Sequence, residues 1–168
     1  MNSNKIKSVL QYTSLLMGGM SLLLGIVVLY GWYTHNSDLI QVNPAFVAMQ
    51  YNTALGFLVT AMGLLSLIQL DRVLLHKVQR NKNTHLASTL AYSASFSGFV
   101  VVLIGFLTLI EYVFAVDLKI DQLFMAHYID LNTSHPGRMA PNTALCFTLS
   151  GLAILTSLSH FKYKDGIT

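Results

Sequence analysis

Two short runs place the same polar pair at the start of an apolar stretch, Asn52-Thr53 and Asn142-Thr143. Asn and Thr at such a position satisfy N–H groups left without partners in the first turn of a helix, so capping is one reading. The other is a binding role: two helix N-termini, each the positive end of its dipole, opening on the same side and forming a polar pocket. Glu111 lies near the end of a third apolar stretch, after Thr108, and a carboxylate at that depth needs a partner. Arg138 stands just before the fourth stretch and is expected either to pair with Glu111 or to share a ligand with it. A structural ion pair and a charge-sensitive ligand or proton site are the two chemistries open to that couple. Asn52, Thr53, Glu111, Arg138, Asn142 and Thr143 are therefore the candidate ligand-binding residues.

Other reactive residue types give weaker signals. His35, His127 and His135 fall in connecting segments on one side, and His76, His85 and His160 on the other. None sits in the middle of an apolar run, where facing imidazoles would hold a haem, and their spacing is irregular for a metal. The one cysteine, Cys146, lies inside an apolar run, where it reads as a packing residue rather than a reactive thiol. There is no Gly-rich phosphate loop, no nucleophile with its base and no closed set of metal ligands. The expectation is a protein that is not an enzyme, with no cofactor and no metal.

These residues must be held by apolar elements. The chain has 168 residues, 54% hydrophobic and only 10% charged, with a mean hydropathy of +0.57. A soluble domain carries about a quarter charged residues. Apolar runs at residues 14–32, 53–70, 91–114 and 143–158 are each near the ~20 residues that a membrane-spanning helix needs. The predicted fold is one all-α integral membrane domain over residues 1–168. The first run is too long for a secretory signal, and its Trp32-Tyr33 end suits an interfacial anchor. Lys5, Lys7, Arg72, Lys77, Arg80, Lys82, Lys162 and Lys164 fall on one side of the runs. The segments 33–51 and 115–141 hold only Lys119 and Arg138 against Asp38, Asp117, Asp121 and Asp130. That asymmetry predicts cytoplasmic termini in a plasma membrane and puts 33–51 and 115–141 outside. It also makes nucleic acid an unsuitable partner for the net charge of +3.

The chain also matches itself. Residues 49–57 (MQYNTALGF) and 139–147 (MAPNTALCF) agree at six of nine positions, at an offset of 90. The first and third runs align at an offset of 80 through Leu23/Leu103, Gly25/Gly105 and Leu29/Leu109. The prediction is two tandem in–out–in hairpins, repeat 1 about 12–72 and repeat 2 about 90–160. Stripes of small residues, such as Ser14, Gly18, Ser21 and Gly25, would let the helices approach closely. Residues 116–128 (VDLKIDQLFMAHY) read as a short outer amphipathic helix in the interface, or as a lid over the mouth of the bundle.

Residues 49–58, the run 105–116 (GFLTLIEYVFAV) with 117–123 after it, and 135–147 (HPGRMAPNTALCF) together resemble a bacterial N-terminal membrane module. That module ordinarily precedes PAS, histidine kinase or GGDEF diguanylate cyclase domains. The resemblance spans nearly all of the chain between the first and fourth runs. Its pattern carries glycine where this chain has Lys119. It implies a non-catalytic input module that senses at the outer face. With little chain after the fourth run, the module is expected to stand alone and act through a separate signalling or membrane protein, a second copy among the possibilities. An accessory or structural subunit of a larger membrane complex is the alternative function, and a quinone or haem binder is a third.

Overall fold

The computed structural model describes residues 3–41, 43, 46–77, 84–129 and 135–165. Arg80, Lys82 and Asp130 of the charge pattern lie outside the described residues, as do residues 78–83 of the middle connection. Apolar residues without an interior proline run into long helices that end where local chemistry stops them. Helix α1 (Ser3–Thr34) ends as His35 turns left-handed at φ 54. The Asn36 N–H then reaches back 2.9 Å to the Gly31 carbonyl, satisfying a group that the helix end would orphan. The Asn36 side chain accepts from the Asp38 N–H and opens the four-residue α2 (Ser37–Ile40). Helix α3 (Tyr51–Lys77) follows, then α4 (Thr84–Phe114), which also ends at a left-handed residue, Ala115 at φ 51. Helix α5 (Pro141–Asp165) opens on proline, whose missing N–H has no partner to lose in the first turn.

Stretches Ser8–Thr34, Tyr51–Leu74, His85–Phe114 and Pro141–Ser159 are each long and apolar enough to cross a membrane, and among the described residues no strand forms. The protein is thus all-α, with four candidate transmembrane helices. Gln11 bonds Asp71, and Trp32 bonds the Met49 carbonyl, so α1 and α3 run antiparallel. Ser66 with Ser93 and Tyr112 with Met139 set the same sense for α3 with α4 and α4 with α5. One end of the bundle, the loop end, therefore gathers the close of α1 and α4, the start of α3 and α5, and the segments between them.

Helix α1 packs on α3, α3 on α4 and α4 on α5, with a smaller α3–α5 contact. Among the described residues α1 and α5 do not pack on each other. Glycines set the closest approaches between helices, and a Cβ on Gly151 would lie 2.7 Å from the Gly98 carbonyl oxygen. A Cβ on Gly25 would lie 2.9 Å from the Ala54 carbonyl oxygen, and one on Gly105 would lie 2.5 Å from that of Ala144. The rings of Phe57 and Phe147 meet edge to face at 5.4 Å between α3 and α5. Leu16, Met20 and Leu23 of α1 and Tyr92, Phe96, Phe99 and Phe106 of α4 are exposed, an apolar belt suited to lipid. In that solvent close packing, rather than hydrophobic burial, draws the helices together.

The outer amphipathic helix expected at 116–128 does not form. The segment is built of turns, bends and irregular backbone, and the short helix at this end is α2 instead. Lys119 is left-handed at φ 58, a conformation that breaks a helix, and its N–H is taken by the Asp117 carboxylate at 2.8 Å. The Ile120 and Asp121 carbonyls accept from the Asn52 amide at 3.0 and 3.2 Å. Backbone groups that a helix would bond internally thus go to tertiary partners, and the segment folds as a cover over the loop end.

Candidate functional site

Arg138, placed by the turn before α5, is the centre of the loop end. Its Nε donates to Asp121 Oδ2 at 2.7 Å, and one terminal nitrogen lies 3.3 Å from Glu111 Oε1 and 4.0 Å from Asp117 Oδ1. The guanidinium also lies over the Tyr112 ring, 5.5 Å from its centroid. Its side chain is 7% exposed and that of Glu111 is 0% exposed, whereas Asp117 is open to solvent. Burial works against the charged guanidinium. The hydrogen bond and charge of Asp121, with the charge of Glu111, outweigh that and hold Arg138 above the ordinary arginine value. Glu111 Oε1 also accepts the Leu118 N–H at 2.9 Å. One ion-pair network therefore pins the 115–129 cover to α4 and to the approach of α5. Glu111, Asp117 and Asp121 are close enough to share a metal ion. The guanidinium already stands among them as their counterion.

The expected pair, Glu111 with Arg138, thus comes together, with Asp117, Asp121 and Tyr112 around it. These three carried no signal beyond their acidic or aromatic character, because only the folded cover brings them to Arg138. The Asn-Thr pairs behave differently from the sequence expectation. Asn52 is buried and lies inside α3, and its amide holds the cover through the carbonyls of Ile120 and Asp121 rather than capping the helix. Asn142 is exposed, and its side-chain oxygen accepts from the adjacent Thr143 N–H. The two asparagines do not make one symmetric pocket. Thr53 and Thr143 do come to a common cavity, and Arg138 lines it with them.

That cavity, about 550 Å³, lies between α1 and the start of α5, with α2 and residues 46–50 over it. Leu24, Val28, Phe46 and Val47 give it an apolar wall, and Gln50, Thr53, Thr143 and Arg138 add polar groups. A volume of this order suits a small molecule. Gln50 was not among the candidates, since one glutamine before a helix gives no signal by itself. It is 5% exposed, its Nε2 donates to the Ala48 carbonyl at 3.3 Å, and its Oε1 is buried with no hydrogen-bond partner among the described residues.

Among the described residues the histidines do not gather. His35 stacks on Tyr128 with ring centroids 4.4 Å apart, His127 tilts against Trp32 at 5.8 Å, and His135 meets Tyr112 edge-on at 5.9 Å. Each is used in aromatic packing, and among the described residues no three-ligand cluster includes a histidine. Burial pushes the Tyr128 phenol up from its usual value, which favours the protonated form that reaches the Gly31 carbonyl at 3.4 Å. No family model matches this chain, and neither a curated protein nor a solved structure is significantly similar to it.

Proposed function

We propose that the chain is a non-catalytic sensory or regulatory input module of a bacterial plasma membrane, with its loop end outside and its termini in the cytoplasm. In this reading it is two in–out–in hairpins, α1–α3 and α4–α5, related by an axis along the membrane normal. Equivalent contacts support the repeat. Gly25 on Ala54 corresponds to Gly105 on Ala144. Trp32 donating to the Met49 carbonyl corresponds to Tyr112 donating to that of Met139. The left-handed residues His35 and Ala115 end the first helix of each hairpin.

Against this background the Glu111–Arg138 pair is an addition. The offsets of 80 and 90 put Gly31 and Ala48 at the corresponding positions of the first hairpin. One hairpin closes without the charges, so their presence in the other points to a role beyond closing a hairpin.

The observation that carries the reading is the position of the cavity. The repeat makes α1–α5 the counterpart of α3–α4, yet α3 and α4 pack and α1 and α5 do not. The cavity occupies the loop end of that open side. A ligand there bears on both hairpins at once, and its differential affinity for two hairpin arrangements would shift their populations. The change would pass inward along α1 and α5 to a partner protein. Purification from native membranes in mild detergent, followed by mass spectrometry of retained proteins and small molecules, tests this. Retention of a small molecule together with a signalling protein is the expected result. Stoichiometric recovery with a respiratory or secretion complex would replace the reading with that of an accessory subunit.

A further inference from the structure

The loop-end cavity has three properties that together define what it accepts. The first is shape and access. Leu24 lines the cavity yet is 39% exposed, and α1 and α5, which flank it, do not pack on each other. The cavity therefore opens sideways, toward lipid, through an apolar wall. A molecule entering by that route is itself membrane-soluble.

The second property is charge. Among the described residues of the lining Arg138 is the one arginine or lysine, and its guanidinium already faces Asp121, Glu111 and Asp117. Three carboxylates against one guanidinium leave a net negative cluster, and Asp38 adds another carboxylate to the lining. An anionic head group, such as a fatty carboxylate or a phosphate, meets repulsion here rather than a free counterion. A cationic head would surrender its hydration in a largely apolar space, and nothing there would replace it in full. An uncharged head fits best.

The third property is an unmet hydrogen bond. Gln50 is 5% exposed and lines the cavity, while its Oε1 is sealed from solvent and has no hydrogen-bond partner among the described residues. Reversing the amide does not relieve this, because it would turn Oε1 onto the Ala48 carbonyl, which now accepts from Nε2 at 3.3 Å. Turned toward the cavity, the side chain offers an acceptor, and what it lacks is a donor. A buried acceptor without one is destabilising, and a ligand O–H would remove that penalty.

We infer that the loop-end cavity binds a membrane-soluble alcohol or phenol, whose hydroxyl draws the Gln50 side chain toward the cavity and donates to its Oε1 while its hydrocarbon body lies along Leu24 and Val28. The inference rests on the cavity being a ligand site, as proposed above, and adds the chemical class of the ligand. Aliphatic and phenolic hydroxyls present the same donor, and separate probes distinguish them.

The protein carries its own reporter. Trp32 is the single tryptophan, and it donates to the carbonyl of Met49, which lines the cavity. Purified full-length chain in nanodiscs of neutral lipid would be titrated with four brominated quenchers. These are a bromo-terminated dodecanol, a bromo-alkylphenol, and the carboxylate and trimethylammonium analogues of the dodecanol. Saturable quenching of Trp32 by the alcohol or the phenol is expected, at concentrations about tenfold below those needed for either charged analogue. The stronger of the two neutral probes identifies the aliphatic or the phenolic class.

Gln50→Leu should abolish the preference for the hydroxyl while leaving the Trp32 emission maximum unchanged. Leu24→Phe, at a half-exposed wall position, should weaken all four probes by filling the space. Equal, non-saturating quenching by all four would mean simple partition into lipid and would overturn the inference. So would preference for either charged probe, or a hydroxyl preference that survives Gln50→Leu. These outcomes are separate from those of native purification. A hydroxyl preference with no signalling partner would leave the ligand class standing and remove the sensory role. A retained small molecule without a hydroxyl would do the reverse.

Discussion

Arg138 shows how one residue holds a loop that its neighbours in sequence cannot. Its partners are 17, 21 and 27 positions away, and they tie the cover to a helix end. Removing the guanidinium strands two buried carboxylates, and breaking such a network is destabilising by roughly 3–5 kcal/mol. Arg138→Ala should therefore lower the thermal midpoint in detergent far more than Glu111→Gln. The glutamine can still accept the Leu118 N–H and leaves the 2.7 Å Arg138–Asp121 bond in place. An equal loss in the two variants would show that Asp121 adds nothing to the network. Lys119 gives the opposite case. It occupies the left-handed region that glycine enters freely, at φ 58. Lys119→Gly should stabilise the protein, by about 1 kcal/mol from the relieved backbone strain. Chemical denaturation of the two forms in the same detergent would measure it.

At the scale of helices, close approaches at glycine control the packing. Gly105 faces the Ala144 carbonyl oxygen with no room for a methyl group, and Gly25 faces the Ala54 carbonyl oxygen only slightly less tightly. Alanine at either position must push a helix pair apart, an overpacking penalty of roughly 1–3 kcal/mol. Gly105→Ala is expected to be the worse of the two, because its added methyl would come within 2.5 Å rather than 2.9 Å of backbone oxygen. Gly19, which has nothing near it, should tolerate alanine and serves as the control. Thermal midpoints for the three variants should rank in that order. Small residues at helical spacing were visible in the sequence, but not which of them touch backbone. That depends on the rotation of each helix about its axis, which hydropathy alone leaves open because these helices are apolar nearly all round.

The whole molecule is a bundle open on one side, with packed α1–α3, α3–α4 and α4–α5 pairs and an unfilled α1–α5 side. If the loop end faces outward as proposed, reporter fusions at Asn36 should read external and fusions at Lys77 and Lys164 cytoplasmic. The reverse pattern would invert the protein and move the cavity to the cytoplasmic leaflet. The four helices and the pairing of Glu111 with an arginine were legible in the sequence, for the same physical reason. A lipid-soluble span needs about 20 apolar residues in a row, and a carboxylate within one needs a counter-charge. Both demands are local enough to leave a mark on composition and spacing. What only the tertiary structure decided was non-local. The 116–128 segment gave up its helix because Asn52, Arg138 and the Asp117 side chain drew off its polar groups. Asn52 and Asn142, alike in sequence, parted in role because only Asn52 lies beneath that cover. The cavity exists because two helices far apart in the chain fail to meet, and no pattern of neighbouring residues encodes that gap.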